Sequence, residues 1–150
     1  MTPPVEKSQI RTEMTLAIAN EMCSVALDEA SRQDALVSVA VVDGGGNLVC
    51  FARMDGAEIA GPTLAVDKAF TAVAHRIATE ELATLAAPGG ELFGLHSNGA
   101  GRYVIFAGGV PCWLGARVVG GIGVSGGSAS QDSACAHAGL ARWLIAEENQ

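Results

Sequence analysis

The chain has 150 residues, 49% of them hydrophobic and 17% charged, with a net charge of −7. That length suits one domain with a core of its own, and a mean hydropathy of +0.32 excludes a disordered polyelectrolyte. Nine Lys and Arg against sixteen Asp and Glu argue against a nucleic-acid footprint and against attraction to an anionic membrane.

The opening residues MTPPVEKSQI lack the apolar stretch of a signal peptide, and no run of about 20 apolar residues is free of charge or glycine. The expectation is a soluble, cytoplasmic protein read as a single domain over 1–150. Cys23, Cys50, Cys112 and Cys135 are scattered without CxxC spacing, so they read as buried or idle thiols.

After a loose arm over 1–7, Ser8 is placed to cap a helix running to about Asp34. Met14, Ile18, Met22 and Val25 mark its apolar face. Val37, Val39, Val41 and Val42 are β-branched, and Leu48 to Phe51 is a second apolar run. The Asp43-Gly44-Gly45-Gly46-Asn47 segment between them predicts an antiparallel hairpin. Pro62 opens a helix to about Arg76, and a second helical stretch covers Ala78 to Ala86. The Gly-rich region Ala87 to Arg102 reads as a long loop. Tyr103–Phe106, Val110–Leu114 and Arg117–Val124 read as three further strands. Ser128 and Gln131 fit a capping box for the last helix. The order α-β-β-α-α-β-β-β-α predicts an α+β fold, a mostly antiparallel sheet covered by helices.

Two motifs overlap in Gly121-Ile122-Gly123-Val124-Ser125-Gly126-Gly127, the GxGxxG fingerprint of dinucleotide binding and the GxSxG nucleophile elbow. Neither has its scaffold, because no parallel strand follows and no large parallel sheet is present. Glycines leading into a capped helix still leave amide groups at a partly positive end, so Ser125, Gly126 and Gly127 are candidates for holding an anion. His75, His96 and His137 have no metal-ligand spacing, and no metal site is expected. His96 stands out because it lies in the Gly-rich loop, where binding residues concentrate. Arg53 and Asp55 share a strand face, and Lys68 lies in a largely apolar helix, where it must snorkel or pair. A pairing of Lys68 with Asp55 would make a polar pocket floor.

Three segments together resemble the GlcG/HbpS family, also known as DUF336 or haem-degrading-like. They are Val41-Val42-Asp43 through Arg53-Met54-Asp55-Gly56-Ala57; the helix with Ala65, Lys68, Ala69, Thr71 and Ala72; and Gly108-Gly109-Val110-Pro111 through Val119 to Gly126 with Gln131-Asp132. The resemblance spans about Ile10 to Leu144 and implies a profilin-like α-β-α sandwich with a five-strand antiparallel sheet, assembled as a homo-oligomer. It also implies haem as a candidate cofactor. The first helix has no His, so axial candidates are His96, Met22, Cys23 or a water.

Two functions are therefore expected. One is a binding protein for haem or another flat, carboxylate-bearing organic ligand, with Phe93, Leu95 and Phe106 as apolar walls and Arg53 or the helix end holding the carboxylate. The other is a small enzyme of isomerase, tautomerase or hydratase type acting on an organic acid in catabolism. There Lys68 or Arg53 would bind substrate, and Asp55, Asp132 or His96 would act as acid or base. A structural partner for a larger enzyme is a third expectation.

Overall fold

A computed structural model of the chain describes residues 1–9 and 13–148. Its elements are α1 (Leu16–Arg32), β1 (Ser38–Asp43), β2 (Leu48–Arg53), α2 (Gly61–His75), α3 (Thr79–Leu85), β3 (Gly109–Leu114), β4 (Arg117–Ser125) and α4 (Ala129–Glu148), with two short 3₁₀ turns between α3 and β3. The sheet is antiparallel in the order β2-β1-β4-β3.

The hairpin forms where the glycine segment predicts it. Asp43 Oδ1 accepts from the amides of Gly45 and Asn47, both at 2.9 Å, which ties the turn to the strand end. Alternation then sorts the side chains of β1. Val39 and Val41 join the core beneath α1 and α4, while Val42 joins Ala69 and Val73 of α2 on the other face. α2 lies so close to the sheet that a Cβ on Gly123 would sit 2.0 Å from the Ala65 carbonyl oxygen. Gly121 and Gly123 of the GxGxxG match are thus explained by helix–sheet packing, and Gly126 by its positive φ of 140° and the close approach of the Leu36 carbonyl.

Two expectations change. The first helix starts at Leu16, capped by Thr15, whose Oγ1 accepts from the Ile18 amide at 3.3 Å. Ser8 precedes it as irregular backbone, and residues 10–12 of the expected helix lie outside the described residues. A four-strand sheet among the described residues replaces the expected five, because Tyr103–Phe106 is not a strand. This segment docks on α2 through side chains instead. The Val104 amide donates to Thr71 Oγ1 at 3.0 Å, and the Tyr103 ring meets His75 edge-on with centroids 4.4 Å apart. Beside it, the Arg102 guanidinium lies 3.6 Å from the Phe70 ring centroid and bonds Asp67 at 3.0 Å. The α2 helix ends where expected, at His75, and Arg76 follows in the left-handed region at φ 57°.

Candidate functional site

The last turn of β4 and the first turn of α4 build a sealed polar cluster. The capping box closes as the sequence predicts: Ser128 Oγ accepts from the Gln131 amide at 3.2 Å, and Gln131 Oε1 accepts from the Ser128 amide at 2.9 Å. One residue on, Asp132 points back across the helix end, and its Oδ1 accepts from the Gly127 amide at 2.9 Å. Its Oδ2 lies 3.0 Å from Lys68 Nζ, and Lys68 also donates to the Val124 carbonyl at 2.9 Å. Phe106 covers the ammonium with its ring centroid 5.1 Å away. Lys68 is 1% exposed and Asp132 4%.

The helix end does hold an anion, and that anion is the chain's own Asp132. Burial raises the Asp132 carboxyl above its usual range, against the opposing pull of Lys68 and the Gly127 and Gly126 amides. Burial likewise lowers the Lys68 ammonium, against Asp132 and the more distant Glu58. Both shifts run toward the neutral form, so desolvation outweighs attraction on each side of the pair.

The cluster therefore brings together Lys68, Asp132, Phe106, Gly126 and Gly127. Ser125 is buried one residue from the Val124 carbonyl and pairs across the sheet with Ser38. Asp55 is not the partner of Lys68; it sits exposed in the turn after β2. Arg53 turns its guanidinium onto the Ala57 carbonyl, at 2.5 Å from Nη2. His96 is exposed in the 3₁₀ turn Leu95–Ser97, and Phe93, three residues before it, is 65% exposed.

Other titratable groups are committed elsewhere. His137 meets Glu80 at 3.0 Å, and His75 Nδ1 lies 3.3 Å from the Thr71 carbonyl. Met22 and Cys23 are packed in the core, and burial, with Cys50 beside it, pushes the Cys23 thiol up to about 12. Among the described residues, no three of His, Cys, Asp or Glu are gathered as a metal site, and no helix is long and apolar enough to cross a membrane.

The fold has known relatives. Residues 14–141 match the model of the family described as haem degrading protein HbpS-like, and the chain belongs to that family. The crystal structure of Klebsiella pneumoniae ORFY is 33% identical and superposes with a TM-score of 0.90, over 95% of this chain and 98% of that one. A PduOC–haem complex is 34% identical with a TM-score of 0.84, over 87% and 95%. HbpS is 33% identical with a TM-score of 0.81, over 94% and 97%. An uncharacterized 15.0 kDa Citrobacter freundii protein from a dhaT-dhaS intergenic region is 38% identical over 91% of this chain and 96% of that protein. The Salmonella typhimurium corrinoid adenosyltransferase PduO is 34% identical over 93% of this chain, but the match spans only 41% of that enzyme.

Proposed function

We propose that the protein binds a small, flat organic molecule carrying carboxylates, with haem the first candidate. The observation that carries this reading is the likeness to a haem-complexed relative over 87% of this chain. The chain's own residues narrow where such a group fits. Met22 and Cys23 are sealed in the core, and a thiol with a pKa of about 12 stays protonated at neutral pH and is a poor iron ligand. His96 offers an exposed imidazole, with Phe93 as an apolar plate on the same loop. Arg53, exposed on edge strand β2, is the sequence-expected cation for a carboxylate, which would have to compete with the Ala57 carbonyl for its guanidinium. When bound, haem supplies its iron chemistry; the protein supplies the ligand nitrogen and the apolar contact. The whole of 1–150 is read as one such domain, cytoplasmic and working as a homo-oligomer.

Hemin titration followed by Soret absorbance tests this. A saturable, shifted band is expected, with binding about ten-fold weaker or more in His96→Ala, the loss of one ligand bond. A flat trace, or a curve that His96→Ala leaves unchanged, rejects the reading.

One observation favours a second reading, an acid–base enzyme on an organic acid. Lys68 and Asp132 are a buried pair with opposed shifts, the pattern active sites share with structural ion pairs. Phe106 would have to swing aside to admit substrate, and neither Asp55 nor His96 is brought to the pair. Turnover of a panel of hydroxy and keto acids, lost in Asp132→Asn, is what this reading requires; turnover that survives Asp132→Asn rejects it.

A further inference from the structure

The opposite end of the sheet carries a cleft that neither reading uses. It has a volume of about 390 Å³ and is walled by the β1–β2 turn at Gly44 and Gly45, the β3–β4 turn at Ala116, and the end of α2. Val73 and Val118 give it apolar sides, and Arg76 and Arg117 both line it, with Glu13. Its size falls at the low end for small-molecule pockets, roughly 300–1,000 Å³.

The two arginines differ from the others. Among the described residues, Arg32 bonds Glu29, Arg53 the Ala57 carbonyl, Arg102 Asp67, and Arg142 Glu21. Arg76 and Arg117 have no such acceptor among the described residues, and both face the same cleft of a chain with net charge −7. Arg76 also occupies a left-handed position, φ 57° and ψ 42°, at the C-terminal cap of α2. Glycine is the usual residue there, because the Cβ of an L-residue crowds the backbone in that region.

We propose that this cleft binds a small organic dianion, with one carboxylate on each guanidinium and the carbon skeleton against Val73 and Val118. Two guanidinium groups lining one cleft select two negative groups over one. The helix end contributes about −0.5 charge and Glu13 a full carboxylate, which together exceed the charge of one arginine and leave the cleft a slight positive excess. A monoanion engages one guanidinium, whereas a dianion spanning both makes two charge-assisted, fork-shaped contacts. The site is independent of His96 and of the buried pair, so the haem reading and this one stand or fall separately.

Calorimetric titration of the full chain at low salt with succinate and glutarate, and with inorganic phosphate beside them, is the test. Saturable one-site binding of a dicarboxylate is expected, weaker by about ten-fold or more in Arg76→Gly and in Arg117→Gln, and about two-fold tighter in Glu13→Gln. Arg76→Gly suits the left-handed position, so its melting temperature should hold or rise while binding falls. No saturable heat with either dicarboxylate, or wild-type affinity in either arginine variant, overturns the proposal. Phosphate binding as tight as the better dicarboxylate overturns the assignment of an organic dianion.

Discussion

The two ends of β4 handle charge in opposite ways. At Ser125 the strand runs into a cluster where Lys68 and Asp132 are buried and every named polar contact is internal. At Arg117 it starts beside a cleft lined by two exposed arginines. In the first case burial makes charge expensive, so the fold must satisfy it completely; in the second, water keeps charge cheap, so it stays available to a ligand. The perturbed titrations fall at the end whose named polar contacts are all internal, and the proposed binding cleft lies at the other. Perturbation alone does not locate function.

The largest effect that tests this contrast comes from breaking the buried pair. Lys68→Ala strands Asp132 and should cost about 3–5 kcal/mol in denaturant unfolding. Removing both charges together should cost far less: Lys68→Met with Asp132→Asn keeps an oxygen on the Gly127 amide and leaves no unpaired ion. A double variant as unstable as Lys68→Ala would refute the view that the cost lies in the stranded charge.

The pH dependence follows next in size. Asp132 titrates above its unfolded value of 3.8, so its contribution to stability is full below that pH and is lost as pH rises through the raised folded value. Lys68 titrates below 10.5, so its contribution is full above that pH and is lost as pH falls through the lowered value. Between the two folded values both charges are carried at a cost. Measured against the double variant, the wild type should be at its weakest on that plateau and recover toward acid and alkaline pH. A difference independent of pH would contradict the assigned directions.

Smaller effects sharpen the other end and the sheet between. Arg76→Gly should stabilise by about 1 kcal/mol, because it relieves the left-handed strain; a clear loss in thermal melts would mean the side chain is structural. Ser38 Oγ is buried with no partner among the described residues. Ser38→Ala should then change unfolding free energy by less than about 0.5 kcal/mol, or stabilise, since no hydrogen bond is lost.

Much of the scaffold was legible in the sequence because local chemistry decides it. Asp43 and the glycines set the hairpin, Pro62 sits in the first turn of α2, and Ser128 with Gln131 closes α4. The family was legible for the same reason, since its segments are these turns and their flanks. The misread elements depend on distant partners. Tyr103–Phe106 is apolar enough for a strand, but Thr71 and His75 of α2 take up its amide and ring. The ion pair joins residues 64 apart in sequence, so Asp55, nearer in the chain, looked the better partner for Lys68. The cleft was invisible because Arg76 and Arg117 are brought together only by the end of α2 and the β3–β4 turn. The signal that could have raised it is an arginine where a helix-ending glycine is usual.

The most direct test of this division is a hemin titration of three folded proteins: wild type, His96→Ala, and the Lys68→Met/Asp132→Asn double variant. With ligand binding on the exposed loop and the buried pair serving the fold, the double variant should keep the wild-type Soret curve while His96→Ala loses about ten-fold or more in affinity. A double variant that folds but loses the band, beside a His96→Ala variant that keeps it, would place the binding site at the buried pair and contradict the account.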